Sequence, residues 1–258
     1  MKTFKLFRII GLLGLLGLFG QASALAAAKG PKANTRAYPI TESYHKLIVT
    51  SAFDVVISDS VRKAMVTVPD AIHKAVVVQV DKGVLRIALQ GKIKMTERPK
   101  VILPRNSSLN DIELLGASSL TFDTLFGDDL RLYLTGASAM KGVIQSRLIA
   151  MEMSGASHFL GRMFADRVNL DFSGASSAEI RGRVLIKLDI KMIEGCSLDA
   201  ERLEVRRIEG SLTDASSAIF WCTERIDLPL SGASHLTYLG RPLIVNCPTD
   251  GLSSVSRK

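Results

Sequence analysis

Four residues recur at one place in a repeated frame. Glu113, Tyr133, Glu152 and Asp171 each stand three positions before the glycine of a Gly-Ala-Ser tripeptide. If that frame is a stack of strands, Glu152 and Asp171 occupy neighbouring rungs, about 5 Å apart at the backbone. Retaining glycosidases hold two carboxyl groups at about that separation, and a hard cation such as calcium also favours clustered carboxylate oxygens. The plainer reading is a solvated face on which water screens like charges. Thr135, Ser154 and Ser173, two residues further along, supply hydroxyls able to bond those of a sugar.

Other chemistry has less support. His158 and His235 share a place in the frame, three residues after the glycine, yet four repeats separate them. That is about 19 Å at strand spacing, too far for one metal ion. His45 and His73 show no partner. The chain has no Gly-x-Ser-x-Gly elbow, no Cys-x-x-Cys and no phosphate loop in a strand-to-helix setting. No catalytic residue, metal ligand or cofactor is therefore assigned. Trp221, with Phe220 and Tyr238, offers either a sugar-stacking platform or a cap over the last repeats.

The repeat explains how these residues are positioned. Gly-Ala-Ser begins at Gly116, Gly136, Gly155, Gly174 and Gly232, with degenerate copies at Gly195-Cys196-Ser197 and Asp214-Ala215-Ser216. Successive starts lie 20, 19, 19, 21, 19 and 18 residues apart. A period of that size marks a stack of coils, none of which buries its apolar face alone. Apolar residues fall four and two places before the glycine (Ile112 and Leu114, Leu132 and Leu134, Met151 and Met153) and four after it (Leu120, Met140, Phe159). That is the period of a strand, not of a helix. The pattern predicts an all-β chain, a right-handed parallel β-solenoid of about seven coils over residues 105–247. Glycine opens each corner, and stacked serines are expected to share hydrogen bonds along the ladder. Ile190 and Met192 fall out of step with Gly195, which predicts a bulge or a distorted coil there.

Before the repeats, residues 38–104 hold six short Val- and Ile-rich runs separated by turn residues. They read as six strands, either an antiparallel sheet or the opening coils. Residues 27–37 read as a flexible tether, and 248–258 as a polar tail that either closes the sheet edge or frays.

The first 26 residues carry Lys2, Lys5 and Arg8 ahead of an apolar run and an Ala24-Leu25-Ala26 site, which together read as an export signal. An uncleaved anchor is the alternative, since Ile9 to Ala28 is long enough to span a bilayer. Periplasm, cell surface or exterior is the expected destination, with no stable membrane insertion once the leader is cut. Removing it lowers the formal net charge from +8 to +5. Lys and Arg are scattered and do not alternate with aromatics, so a nucleic-acid partner is not expected. A mild positive excess suits acidic glycans or an anionic envelope. Cysteine numbers three, which leaves at least one thiol free in an exported chain. Cys222 and Cys247 are a candidate bridge, and Cys196 reads as the replacement for a motif alanine.

Phe53-Asp54-Val55-Val56-Ile57, then Val84-Leu85-Arg86-Ile87, then Val101 to Pro104, lead into Leu114-Leu115-Gly116-Ala117-Ser118. This order resembles the GIN-domain family, autotransporter adhesin head domains of bacterial envelopes, over about Leu47 to Tyr238. The resemblance implies an exported β-solenoid behind a short β region, with a role in adhesion or envelope interaction and no catalytic residues to carry over. The chain ends in Ser-Arg-Lys with no room for a membrane barrel, so it is not expected to translocate itself. The expected function is a non-enzymatic, adhesin-like envelope protein binding glycans or surface components, with Glu113, Tyr133, Glu152 and Asp171 as candidate binding residues. The alternative is a polysaccharide-cleaving enzyme using Glu152 and Asp171.

Overall fold

The computed structural model describes residues 33–95 and 97–258. The expected leader and the first part of the tether lie outside the described residues. The short strands are β1 (Ala33–Tyr38), β2 (Lys46–Val49), β3 (Asp54–Ser58), β4 (Ala64–Pro69), β5 (Val76–Asp81), β6 (Val84–Leu89), β7 (Lys100–Pro104) and β8 (Asp111–Leu114). Longer ones follow as β9 (Ser119–Leu134), β10 (Ala139–Met153), β11 (His158–Phe172), β12 (Ser177–Met192), β13 (Ser197–Leu212) and β14 (Ser217–Asp227). Three short strands end the chain: β15 (His235–Leu239), β16 (Leu243–Asn246) and β17 (Ser254–Arg257). Together they wind into one parallel β-solenoid of about eight turns.

The six strands expected in residues 38–104 all form, and both arrangements foreseen for them occur together. β2 pairs in parallel with β6 on one side and β8 on the other, and β3 likewise lies between β7 and β9. The chain therefore lays its second turn (β2–β3) first, adds the outermost turn (β6–β7), and returns to build the third. Antiparallel strands cover that outer turn: β5 on β6, β4 on β7, and β1 on β4. The expected tether is a strand from Ala33 onward. His73, buried and without a foreseen partner, holds that strand: its Nε2 lies 3.0 Å from the Asn34 carbonyl and its Nδ1 3.1 Å from the Tyr38 hydroxyl.

In the repeats, the expected apolar frame is the core. Residues four and two before the corner (Ile112 and Leu114, Leu132 and Leu134, Met151 and Met153, Leu170 and Phe172) and four after it (Leu120, Met140, Phe159, Ala178) are buried. Rungs complement each other in size, with Phe159 beside Ala178 and Phe220 beside Ala200. Burying such a side chain contributes about 1.5–3 kcal/mol, so the stacked rows hold the coil together.

The corner differs from expectation in two respects. First, the motif serine hydroxyls donate mainly within their own turn. Among the described residues the expected ladder bonds appear only at the carboxyl end, where the Ser216 and Ser234 amides donate to the hydroxyls of Ser234 and Ser253. Ser138, Ser157 and Ser176 are buried, and each hydroxyl donates at 2.7 Å to the carbonyl three residues back. Second, the degenerate copy is set one residue earlier than its glycine suggests. Ser177 pairs with Ser197, which places Cys196 opposite Ser176, Gly195 opposite Ala175 and Glu194 at the glycine position. Cys196 thus replaces a serine, and its thiol donates to the Ile193 carbonyl at 3.0 Å. The corner spacings become 20, 19, 19, 20, 20 and 18 residues. With that register, Ile190 and Met192 are in step after all, opposite Leu170 and Phe172. The register shifts of this coil fall instead between Ala200 and Glu204 and between Val205 and Arg207. Gly210, exposed opposite buried Ile190, approaches so closely that a Cβ would lie 1.7 Å from the Ile190 carbonyl oxygen.

The polar tail closes into a last partial turn, with β17 on β15. Asp250 anchors it by accepting a hydrogen bond from the Gly232 amide at 2.7 Å. The candidate bridge does not form: Cys196, Cys222 and Cys247 are all free thiols. Leu243, Val245 and Leu252 are exposed at this end.

Candidate functional site

The four residues singled out from the sequence do share one outward row. Glu113 pairs with Tyr133, Tyr133 with Glu152, Glu152 with Asp171, and Asp171 with Lys191. Strand alternation produces the row: each residue lies between two buried neighbours, such as Met151 and Met153 around Glu152. The row is not uniform in character. Glu113 forms an ion pair with Lys46 at 3.2 Å, Asp111 does so at 3.4 Å, and the ammonium lies 5.9 Å from the centre of the Tyr133 ring. Burial opposes the charge on Lys46, but the Glu113 hydrogen bond and the two carboxylates outweigh it and raise its pKa. Glu113 and Tyr133 are thereby occupied in joining the second turn to the third and fourth. Glu152 and Asp171 are exposed and line a shallow groove of about 420 Å³ with Asp189, Lys191 and Gly210.

His158 and His235 occupy equivalent rungs and do the same thing. Their Nδ1 atoms lie 2.9 and 2.8 Å from the hydroxyls of Ser177 and Ser254 on the next turn. Among the described residues no group of three His, Cys, Asp or Glu side chains is placed to hold a metal ion.

A second outward flank, formed by the middle segments of β9 to β14, was not recognised from the sequence. One of its rows runs Phe126, Gln145, Phe164, Arg183, Glu204, Trp221, each the register partner of the next. A parallel row two residues away stacks Arg162, Arg181 and Arg202. Phe126 is 56% and Trp221 42% exposed, and Leu185 and Ile186 are also uncovered. Trp221 therefore points away from Phe220, which is buried, and joins this flank rather than a platform with Tyr238. Two grooves run along it and share Phe164 and Arg183. One, of about 730 Å³, contains Phe126; the other, of about 560 Å³, lies between Phe164 and Trp221. The Arg162 guanidinium lies 5.2 Å from the centre of the Phe164 ring, a contact that fixes a cation without neutralising it. Arg181 is held by Glu179 and Arg183 by Glu204. Register shifts ahead of the row, between Lys141 and Val143 on one pair of coils and between Glu179 and Arg181 on another, hide Phe126 and Glu204 from a count that starts at the corner. The available signal was positional: Arg162 and Arg181 stand at one place after their glycines, and Phe164 and Arg183 at another.

A family model described as "Putative auto-transporter adhesin, head GIN domain" matches residues 43–242. No curated protein matches the chain. Solved structures do. A "putative adhesin" from Parabacteroides merdae superposes with a TM-score of 0.81 at 16% identity, covering 89% of this chain and 97% of that one. Another from Parabacteroides distasonis gives 0.80 at 18% identity, covering 89% and 98%. A "putative lipid binding protein" from Parabacteroides distasonis gives 0.78 at 18% identity, over the same shares. At these identities the likeness is one of fold.

Proposed function

We infer, from the premise that the chain belongs to the auto-transporter adhesin head GIN-domain family, that it is an exported, non-enzymatic envelope protein that binds surface glycans along a flank of its solenoid. The observation that carries this reading is the row of in-register outward side chains from Phe126 to Trp221, repeated at strand spacing along a rigid stack. A rung of about 4.8 Å is close to the advance of one sugar along an extended polysaccharide, so a polymer lying on the axis meets one rung per residue. Each contact is weak, and linkage along one rigid surface multiplies them.

Polysaccharide cleavage is the second reading, and it is favoured by Glu152 and Asp171 being register partners on adjacent rungs beside one groove. Against it, the groove is shallow and Lys191 completes the row, so neither carboxyl lies in the enclosed, apolar setting that makes a general acid. Applying the full chain to a glycan array, with analysis for new reducing ends, separates the two. Retention of glycans without product supports binding. Product formation that Glu152→Gln abolishes supports cleavage, and retention of no glycan at all removes the adhesin reading.

A further inference from the structure

We propose that the groove between Phe164 and Trp221 binds an acidic polysaccharide, a polymer of carboxylate-bearing sugars such as uronates; this rests on the glycan-binding reading above and names its ligand class.

Four consecutive rungs build the groove. The first presents Arg162 and Phe164, the second Arg181 and Arg183, the third Arg202 and Glu204, and the fourth Trp221. Four arginines therefore face one glutamate in the lining. Of the nearby acids, Glu204 holds Arg183, Glu179 holds Arg181, Glu201 is held by Lys258 at 2.7 Å, and Asp199, beside Glu201, accepts the Glu201 amide at 3.1 Å. Among the described residues neither Arg162 nor Arg202 has a carboxylate within ion-pair distance. Their guanidinium forks are thus free for an outside anion, and the fork matches a carboxylate in the plane.

Spacing argues for a sugar polymer. Phe164 and Trp221 stand three rungs apart, about 14 Å at strand spacing, with Trp221 exposed and the half-buried Phe164 ring beside the Arg162 guanidinium. Rings at both ends of a cationic groove suit a ligand that is apolar on its ring faces and anionic at its edges, which describes a uronate residue. The two free arginines lie two rungs apart on one row, so alternate carboxylates along a chain meet them in turn. A bilayer would instead need a broad apolar face, whereas here ion-paired Arg181 and Arg183 lie between the rings.

The test compares binding of the full chain to polygalacturonate and to its methyl ester, which keeps the rings and removes the charge. Vesicles of phosphatidylglycerol serve as a third probe. The acid form is expected to bind about 10-fold more tightly than the ester, with the preference shrinking as salt rises. Arg162→Gln and Arg202→Gln should each abolish most of that preference, while Trp221→Ala should weaken binding of both forms about 10-fold. Glu152→Gln, on the other flank, should change neither. All four positions are at the surface, and an unchanged melting temperature confirms that the variants fold. Equal affinity for acid and ester overturns the acidic ligand while leaving glycan binding in place. Full binding by the arginine and tryptophan variants overturns the site. Binding to vesicles but to neither polymer overturns both this proposal and the reading it rests on.

Discussion

At Gly116, Gly136, Gly155 and Gly174 the corner turns on one left-handed residue; at Glu194–Gly195, Asp214–Ala215 and Gly232–Ala233, as at Ser51–Ala52, it turns on two. The hydrogen bonds reverse with it. The Ala156 and Ala175 amides donate back to the glycine carbonyl of the preceding turn, whereas Gly195 and Ala215 donate forward to Asp214 and Gly232. Where the two kinds meet, the Gly174 carbonyl receives only the Cys196 thiol, at 3.5 Å. The difference shows what the glycine is for. In the first kind a Cβ on Gly155 would lie 2.6 Å from the Gly136 carbonyl oxygen, so stacking forbids a side chain as firmly as the positive φ does. Gly195 stands one place later, opposite Ala175, where the nearest such atom is 4.0 Å away and only the φ of +78° remains. Gly232, which holds the glycine position in a corner of the second kind, is crowded again, with a Cβ falling 2.7 Å from the Asp214 amide nitrogen.

The sharpest way to break this comparison is to make one substitution on both sides of the junction. Gly155→Ala should cost about 2–4 kcal/mol in urea unfolding, because backbone must separate from backbone. Gly195→Ala should cost only about 1–2 kcal/mol, the penalty of a left-handed alanine. Equal losses would mean that stacking does not distinguish the two corners. Next in size is the buried hydroxyl: Ser157→Ala should lose about 1 kcal/mol, and Cys196→Ser should gain up to about that much by replacing a weak thiol donor. If Cys196 stood in an alanine position, serine there would change nothing. Burial pushes the thiols of Cys196 and Cys222 up, so both should resist alkylation at pH 8 until the chain unfolds, while less buried Cys247 reacts sooner.

The smallest effect lies at the last corner, where a side chain takes over from the repeat. Hydrogen bonds from the Ser253 hydroxyl and the Gly232 amide hold the Asp250 carboxyl below its ordinary pKa of 3.8. A depressed carboxyl stabilises the fold above its unfolded pKa, and that contribution fades as pH falls through the folded value. Asp250→Asn should therefore lower the melting temperature slightly at neutral pH, with the gap to the parent protein closing below pH 3.8.

Much of the architecture could be read from the residues, because alternation around a fixed corner has one physical meaning. Leu132, Met151 and Leu170 announce an interior row, and the acidic row facing the other way follows from parity alone. Two things escaped that logic. A glycine is the strongest local cue for a corner, so Gly195 drew the register one residue too far, although Ile190 and Met192 were already in step with Glu194. The arginine–aromatic flank lies beyond the second corner, where inserted residues change the count from coil to coil. Parity measured from the corner holds through Gln145, Phe164 and Arg183 but is lost before it reaches Phe126 or Arg202.

The order in which the first turns are laid down has a kinetic consequence. β2 and β3 lie between β6 and β7 on one side and β8 and β9 on the other, so residues near 50 have no neighbouring rung until those near 85 arrive and are enclosed only by those near 120. A chain emerging amino end first, from a ribosome or through a pore, cannot zip up behind its leading end. Among these first turns only the antiparallel pairs β1–β4 and β5–β6 are local, and the first parallel rungs close loops of some tens of residues.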